Sequence, residues 1–328
     1  KLRARWQLPE TFLASIDFGH MAAGGGKGGM MMGFTSDKLY IVKELNGADH
    51  ATMLKIAHEY AAHVLAEEGS LLARIFGHFE RHGHLYMVMN NWMPPPRYDR
   101  IEKDAKLAFD PHETVSQYDL KGCADDKTLK RMGKSVKAVH KRIFNIPLWC
   151  GRAFWSKARR TYWEGKAHAR EVRFPVTKKH HADITKKVER DVSFLQHWGL
   201  MDYSLVVSFH VVPSKANALI DAVFKGSSDL GTQPYVGTKG QQTFVVYLGI
   251  IDFLQDWNIK KVIAQAIKVA ERNKATIPPE PYGDRFALFC RQKFDASCDD
   301  DPEDADDERE AAADPEVAAA DPEVADSS

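Results

Sequence analysis

The N-terminal third of the chain follows the order strand, glycine loop, strand and helix, which restricts the fold more than any other feature. Gly24–Gly29 breaks any regular element, and the alternation in Lys38–Lys43 predicts a half-buried strand after it. Asn46-Gly47 then turns the chain, and Asp49 is the expected cap of a helix from about His50 to Glu68. The unit therefore mixes strand and helix from its start.

Turn signals divide the rest of the chain into short strands and amphipathic helices. Arg81-His82-Gly83 separates two apolar runs, 71–79 and 84–89, which predicts a hairpin. Residues 183–198 carry an apolar stripe at helical spacing. Between Lys127 and Arg173 the periodicity is weak, and no element is predicted there. The other predicted elements are strands at 115–120, 205–212 and 243–251 and helices at 259–271 and 282–294.

The formal net charge of zero conceals a basic body and an acidic tail. Residues 295–328 hold 15 acidic side chains against one basic one, Arg309, so the remaining 294 residues carry a net charge of +14. The tail lacks aromatic residues and is expected to be disordered, because it cannot bury enough apolar surface to offset its ordering entropy. A solvating extension is favoured over a tail that folds back. The body is expected to meet an anionic partner, either nucleic acid or lipid headgroups.

Composition and terminal sequence narrow the class of protein. No run approaches 18 consecutive apolar residues, so no transmembrane helix is expected, and the first residues lack the apolar run of a signal peptide. The missing initial methionine indicates a segment of a longer protein or a mature form. Four scattered cysteines without a Cys-x-x-Cys pair favour reduced thiols in an intracellular protein.

Two motifs in the N-terminal third are candidates for phosphate binding. The glycines of Gly24–Gly29 let backbone N–H groups approach an anion closely. The loop is not a Walker A sequence, which needs glycine at Met21 and serine or threonine at Gly28. Its position suits a lid over ATP, although a flexible linker has the same composition. Lys43, in Tyr-Ile-Val-Lys, resembles the lysine strand of protein kinases, although a solvent-facing lysine fits equally well.

Two aspartates stand where apolar strands begin or end. Asp202 lies between a predicted helix and a strand, where it can accept the proton of an attacking hydroxyl; taken alone, a simple turn is the more frequent explanation. Asp252 ends an apolar strand, which is a suitable place for a Mg²⁺ ligand beside ATP phosphates. The chain contains no His-Arg-Asp motif, which disfavours an ordinary protein kinase.

Five segments carry the most specific signal in the sequence. They are Tyr118–Gly122, Arg190–Leu195, Met201–Leu205, Ile250–Asp252 and Tyr282–Phe286. In this order they resemble the motifs of the phosphatidylinositol phosphate kinase family. Met-Asp-Tyr-Ser-Leu matches in full, and Asp-Leu-Lys-Gly matches the family signature up to its final serine. The resemblance covers nearly all of residues 1–294.

The resemblance implies an α+β, two-lobed kinase-like fold, of the type shared with SAICAR synthase. It implies an antiparallel-sheet N-terminal lobe and a smaller C-terminal lobe, which form one catalytic domain over residues 1–294. Asp202 would be the catalytic aspartate, Lys121 would contact the transferring phosphate or the headgroup, and Asp252 would bind Mg²⁺. The implied ATP contacts are Gly26, Lys27, Gly28, Gly29, Lys43, Asn90 and Asn91. The implied substrate contacts are Lys121, Lys127, Lys268, Arg272 and Lys274.

Departures from the family pattern bear on the level of activity. Cys123 stands where the family has serine, and Lys127 stands where it has arginine. Met30-Met31-Met32 follow the glycine loop in place of serine and aromatic residues. The helix glutamate that would pair with Lys43 has no clear match, since Glu59 is one candidate and Thr52 occupies the aligned position.

The expected activity is transfer of the ATP γ-phosphate to the inositol ring of a phosphatidylinositol monophosphate, with the 5-hydroxyl of phosphatidylinositol 4-phosphate favoured. The chain is expected in the cytoplasm, peripheral to the cytosolic face of anionic membranes, without nucleic acid as a partner; a homodimer is left open. A catalytically weak phosphoinositide-binding scaffold and a basic nucleic-acid-binding protein are the alternatives. The basic stretch 149–173 fits a membrane-facing surface better than a nucleic-acid site, and a metal site at His78, His82 and His84 is disfavoured.

Overall fold

The computed structural model describes residues 1–8, 10–18, 21–23, 30–94, 111–139, 155–213, 224, 233–257 and 277–299. These residues form two lobes, each built on an antiparallel sheet with helices beside it. The predicted two-lobed α+β fold is therefore confirmed. Within these ranges no helix is long and apolar enough to cross a membrane.

The N-terminal lobe is a five-stranded antiparallel sheet with the order β1-β2-β3-β5-β4. β4 and β5 form the predicted hairpin, in which His82 and Gly83 have φ angles of 51° and 78°. Both angles are left-handed, as the tight two-residue turns of hairpins require. The strands are β1 (Ala22–Ala23), β2 (Met31–Phe34), β3 (Tyr40–Leu45), β4 (Ile75–Arg81) and β5 (His84–Asn90).

The helix of this lobe, α2 (Gly47–Leu65), begins three residues before the predicted start. Its N-cap is Asn46, whose side chain accepts a hydrogen bond from the Asp49 N–H at 2.8 Å. The predicted cap, Asp49, therefore lies in the first turn, where its negative charge suits the helix dipole. The side chains of Ile56 and Tyr60 are buried beneath the sheet and anchor the helix.

The C-terminal lobe is built on a six-stranded antiparallel sheet with the order β12-β13-β11-β6-β7-β8. Its two longest strands, β11 and β13, pair over their full length. In the described residues this sheet has one strand more than that of the N-terminal lobe. The strands are β6 (Val115–Leu120), β7 (Lys127–Arg131), β8 (Lys134–Ser135), β11 (Ser204–Pro213), β12 (Tyr235–Lys239) and β13 (Gln242–Ile251).

Four short strands form two further sheets, and helices cover the C-terminal lobe. Helices α5 (Lys178–His197) and α6 (Pro279–Lys293) pack against each other, and the buried stripe of α5 confirms the apolar periodicity of the sequence. The short strands are β9 (Phe174–Pro175), β10 (Leu200–Met201), β14 (Gln255–Asp256) and β15 (Phe294–Asp295). The other helices are α1 (Leu2–Arg5), α3 (Pro111–Thr114), α4 (Lys157–Glu171), α5 (Lys178–His197) and α6 (Pro279–Lys293).

Helix α4 falls where the sequence predicted no element. The Ser156 side chain caps its first turn, and the Thr128 hydroxyl of β7 donates a hydrogen bond to the Gly165 carbonyl at 2.7 Å. A side chain at Gly165 would approach Val136 and Thr128 within 3.4 Å, so the glycine permits close contact with the sheet. Tertiary packing stabilises this polar helix, because its apolar periodicity is too weak to predict it.

The packed region extends past residue 294, where the acidic tail was expected to start. β15 pairs with β9, and the Cys298 and Asp299 N–H groups donate to the carbonyls of Val176 and Thr238. Residues 300–328, which include most of the acidic tail, lie outside the described residues.

One hydrophobic core runs through both lobes, and a second lies on one face of the N-terminal sheet. Leu72 and Ile250, both fully buried, belong to the shared core. Along β3, Tyr40 and Val42 belong to the second core. Because side chains alternate along a strand, Lys43 points to the opposite face, toward the C-terminal lobe.

Candidate functional site

A cavity of about 170 Å³ lies between the two lobes. It contains four of the residues that the sequence singled out, together with two further polar side chains and an apolar wall. The polar lining consists of Lys43, Asp49, Lys121, Asp202, Asp252 and Gln255. The apolar lining consists of Leu45, Ala73, Ile75, Met87, Met89, Phe253 and Leu254.

The first ion pair of the cavity joins the two lobes. Lys43, in the middle of β3, places its Nζ 2.5 Å from Oδ1 of Asp252, the residue directly after β13. The side chains are 24% and 41% exposed, so solvent reaches both. Glu59, the candidate glutamate of α2, is exposed and does not pair with Lys43. The aligned position holds Thr52, which is buried and carries no charge.

The second ion pair lies within the C-terminal lobe. Lys121 follows β6, and its Nζ donates to the Asp202 carbonyl at 2.5 Å and to the Asp202 carboxylate at 2.6 Å. Asp202 itself stands between β10 and β11. The two pairs thus bring two ammonium groups and two carboxylates to one cleft.

Both aspartates adopt an uncommon backbone conformation. The φ angle is 66° at Asp202 and 61° at Asp252, which is the left-handed region. Among residues with a side chain, Asp and Asn tolerate this region best, because their short polar groups hydrogen-bond locally. Sparsely populated backbone conformations are concentrated at functional sites, where the surroundings hold them. Both residues meet that description, and no sequence signal predicted it.

The charges of the cleft stabilise one another. Burial alone would lower the pKa of Lys121, but the carboxylates of Asp202 and Asp119 outweigh it, and the pKa is raised. Burial in the cleft would raise the pKa of Asp252, but Lys43 and Lys121 outweigh it, and the pKa is lowered. Lys121 therefore stays cationic and Asp252 stays anionic at neutral pH.

Lys127, a predicted substrate contact, lies one strand away from the cleft. Its Nζ is 2.8 Å from Oδ2 of Asp119, the residue opposite it in the β6–β7 pairing. Burial alone would lower the pKa of Lys127, but Asp119 reverses the shift and raises it. Its contact with a substrate remains a prediction.

Asn90 and Asn91, predicted to contact ATP, lie at the end of β5 and outside the cavity lining. The Asn90 side chain accepts a hydrogen bond from the Arg74 N–H at 2.7 Å. The Asn91 side chain donates to the Lys38 carbonyl at 2.9 Å and accepts from the Met93 N–H at 3.0 Å. Both amides thus fix the connection after β5, and their contact with a nucleotide remains a prediction.

Other predicted site residues lie outside the described residues, and their roles remain predictions. Of the segment after the glycine loop, Met31 and Met32 lie in strand β2. The undescribed positions are Gly26, Lys27, Gly28 and Gly29 in the glycine loop and Lys268, Arg272 and Lys274 after Asp252.

Two carboxylates near the cleft were not predicted as functional. Asp49 lines the cavity from the first turn of α2, although the sequence indicated only a capping role. The Asp126 carboxylate accepts a hydrogen bond from the Lys121 N–H at 2.6 Å. The sequence feature that could have indicated this residue is the Asp125-Asp126 pair shortly after Lys-Gly-Cys.

The carboxylates of the cleft suit one kind of metal ion. In the described part of the chain, no group of three His, Cys, Asp or Glu residues lies close enough to hold a metal. The ring nitrogens of His78 and His50 lie 2.9 Å apart. Mg²⁺ commonly binds through one or two carboxylates, with phosphate oxygens and water as the other ligands. Asp252 and Asp202 fit that donor set.

The fold and the cleft together define the kinase-like class with two lobes. The sequence matches the family described as Phosphatidylinositol-4-phosphate 5-Kinase over residues 20–233 and 213–293, and the chain belongs to this family. It is 24% identical to the frog (Xenopus tropicalis) phosphatidylinositol 5-phosphate 4-kinase type-2 gamma, an alignment that covers 79% of this chain and 64% of the relative. It is 22% identical to phosphatidylinositol 4-phosphate 5-kinase 5 of Arabidopsis thaliana, with coverage of 82% and 37%. The chain thus spans less than two thirds of either relative.

Proposed function

We propose that this chain transfers the γ-phosphate of ATP to a ring hydroxyl of a phosphatidylinositol monophosphate. The observation that carries the proposal is the convergence of Lys43, Lys121, Asp202 and Asp252 on one cleft between the lobes. Phosphoryl transfer depends mainly on positioning and on neutralising the charge of the phosphate oxygens, and two cations with two carboxylates supply both.

The apolar wall supports a purine base in the same cleft. Met87 and Met89 of β5 line the cavity together with Phe253 and Leu254. Apolar surfaces of this kind bind flat, weakly polar rings such as purines, and the flexible methionine side chains can adapt to the shape of the ring. The triphosphate would then extend toward Lys43 and Asp252, at the polar end.

Each polar side chain has a role in this scheme. The Asp202 carboxylate orients the attacking hydroxyl and accepts its proton. Its side chain is partly exposed in the cleft, so a substrate hydroxyl can reach it. Lys43 and Lys121 face the phosphate oxygens and offset their charge. When Mg²⁺ is bound with ATP, it supplies further charge neutralisation at the phosphates, and Asp252 is the residue placed to hold it.

The substrate isomer is proposed as phosphatidylinositol 4-phosphate, phosphorylated at the 5-position. Support comes from the description of the matching family and from the name of the plant relative. The frog relative is named for the reverse pair of positions, so an experiment has to compare both isomers. Because such lipids lie in membranes, the chain would act at a membrane surface.

A vesicle assay tests the proposal. The purified chain is incubated with Mg²⁺, labelled ATP and phosphatidylcholine vesicles that carry the 3-, 4- or 5-monophosphate of phosphatidylinositol. The expected result is label in lipid, fastest for the 4-phosphate, and none for vesicles with phosphatidylserine alone. Asp202→Asn is the control for chemistry, because asparagine also tolerates the left-handed backbone; it should reduce transfer at least about a hundredfold.

Two results would overturn parts of the proposal. If the wild-type chain binds the vesicles but labels no lipid, it is a phosphoinositide-binding scaffold. If the 5-phosphate is labelled faster than the 4-phosphate, the kinase activity stands and the isomer is wrong.

A further inference from the structure

The loop after β6 folds around a buried carboxylate. Asp126 is 2% exposed, and its Oδ1 accepts hydrogen bonds from the Lys121 N–H at 2.6 Å and the Cys123 N–H at 3.3 Å. Burial raises the pKa of the Asp126 carboxyl, and the N–H groups of Lys121, Cys123 and Gly122 oppose that shift. The Asp126 N–H closes the turn by donating to the Cys123 carbonyl at 3.2 Å.

Three successive N–H groups that converge on one point form a hollow for an anion, of the type that binds phosphate in other proteins. Here a side chain of the same loop occupies the hollow. This shape of the loop requires glycine at position 122, because the φ angle there is 68° and a side chain would lie 2.8 Å from Phe289 of α6.

The same loop carries Lys121, whose Nζ reaches Asp202 in the cleft. The backbone of Lys121 is thus held from one side by Asp126, and its ammonium is held from the other side by Asp202. A hydrogen bond to a charged carboxylate is about twice as strong as a neutral one, so Asp126 is an effective anchor.

We propose that Asp126 is a positioning residue for Lys121. Its carboxylate occupies the backbone hollow of residues 121–123 and fixes the direction of the Lys121 side chain, so that this side chain, rather than the backbone N–H groups, is the part of the loop that meets a substrate phosphate. The inference rests on the proposed kinase function, since it assigns Lys121 to the transferring phosphate.

Kinetics of matched variants provide the first test, in the vesicle assay with Mg²⁺ and ATP. Asp126→Ala should lower kcat by about tenfold or more, because displacement of a catalytic group by about 1 Å is costly, and Asp126→Asn should lower it less. KM for ATP should be unchanged, since Asp126 does not line the cavity. Asp125→Asn is the control: it removes the same charge from an exposed neighbour and should leave kcat within about twofold.

Coupling to Lys121 separates positioning from a general structural role. In a Lys121→Met background, measured under single turnover, Asp126→Ala should cause no further loss. An equal loss in both backgrounds would overturn the proposal, because Asp126 would then act independently of Lys121.

Hydrogen exchange supplies a readout that needs no activity. In Asp126→Ala, the amides of residues 121–123 should exchange at least about tenfold faster, while those of β6 and α6 keep wild-type rates. Unchanged exchange at 121–123, or faster exchange throughout the lobe, would overturn the proposal. If wild type transfers no phosphate, the kinase function fails, while this measurement still decides whether Asp126 holds the loop.

Discussion

Two junctions connect the lobes, and each contains an aspartate of the C-terminal lobe that accepts hydrogen bonds from residues of the N-terminal lobe. The front junction consists of Lys43, Lys121, Asp202 and Asp252 in the cleft. The rear junction consists of Asp191 on α5 with three donors: His63 of α2 at 2.6 Å, the Ser70 hydroxyl at 2.8 Å and the Leu71 N–H at 2.7 Å.

Exposure distinguishes the two junctions. Asp191 is fully buried and its donors surround it, whereas Asp252 is 41% exposed and, within the described residues, is paired with Lys43. A carboxylate with all its acceptor sites used inside the protein stabilises the fold and is unavailable to a ligand. One with open acceptor sites can exchange its partner for a metal or a substrate. Under the proposed function, the same residue type thus serves structure at the rear and chemistry at the front.

The two junctions are also linked through the backbone. Leu71, which donates to Asp191, accepts a hydrogen bond from the Ile250 N–H at 2.6 Å through its carbonyl. Ala73 donates back to the Ile250 carbonyl at 2.8 Å. Because Ile250 precedes Asp252 by two residues, the rear junction helps to position the strand end that carries the front carboxylate.

The largest expected effect is that of Asp252→Asn on activity. Loss of the carboxylate proposed to bind Mg²⁺ should reduce phosphate transfer by about 10³-fold, since metal-ion stabilisation is worth several kcal/mol. The free energy of unfolding should change by no more than about 1 kcal/mol, because the ion pair is partly exposed. Transfer assays and urea denaturation measure the two quantities. Equal damage to activity and stability would show that the front junction is also structural.

Asp191→Ala should have the opposite profile. Removing it leaves the buried donors of His63, Ser70 and Leu71 without their acceptor, which should lower the free energy of unfolding by about 3 kcal/mol. Glu189→Ala, on the same helix, is the matched control: Glu189 pairs with Arg291 at the surface, so it should change stability by at most about 1 kcal/mol. Urea denaturation measures both, and similar losses would contradict the assignment of Asp191 as a structural anchor.

A packing contact between the junctions gives an intermediate effect. Gly249 of β13 lies flat against the Trp92 ring, and an added side-chain carbon would sit 2.3 Å from it. Gly249→Ala should therefore lower the unfolding free energy by about 1–3 kcal/mol through overpacking. Gly47→Ala, where nothing lies within 4 Å, should leave thermal stability unchanged or slightly higher. If both variants melt alike, Trp92 moves aside easily and does not fix the lobes.

The smallest expected effect concerns pH and compares Lys121 with Lys293. Lys293 is buried and donates hydrogen bonds to the carbonyl groups of Ala169, Arg170 and Val172. Burial and nearby Arg173 lower the pKa of Lys293 to about 8. Between pH 8 and 9.5 the unfolded chain keeps this proton and the folded chain releases it, so the Lys293 contribution to stability rises with pH, by at most about 1.4 kcal/mol per unit.

Urea denaturation at pH 7.5, 8.5 and 9.5 tests this difference. Lys293→Met should have a less positive dependence of stability on pH than wild type. Lys121→Met should have the wild-type dependence, because the pKa of Lys121 is raised and its contribution is lost only above this window. Equal slopes for wild type and Lys293→Met would contradict the lowered pKa.

Local signals predicted the elements whose stability is local. The turn at His82-Gly83 gave the β4–β5 hairpin, and the apolar stripe of α5 gave that helix. Helix α4 could not be predicted, because it depends on contact with β7 rather than on its own periodicity. The cap of α2 was wrong by three residues, because Asn46 and Asp49 both suit the position and only the backbone geometry selects Asn46.

Motifs identified the cleft residues but not their partners. Lys43 and Asp252 are separated by 209 positions, and sequence offered no means to pair them. The kinase pattern predicts a glutamate of α2 as the partner of Lys43, whereas the partner in the structure is Asp252, at the end of β13 in the other lobe. Asp126 was missed because its role depends on a chain reversal over five residues, which composition does not reveal.

The left-handed backbone at Asp202 and Asp252 limits which residues can replace them. A glutamate has the same charge, but it tolerates this conformation less well and its longer arm would move the carboxylate. Asparagine and glycine suit the backbone but remove the charge. Of these four residues, aspartate alone meets both requirements. An aspartate-to-glutamate substitution is therefore unfavourable at these two positions, although most acidic sites on the surface tolerate it.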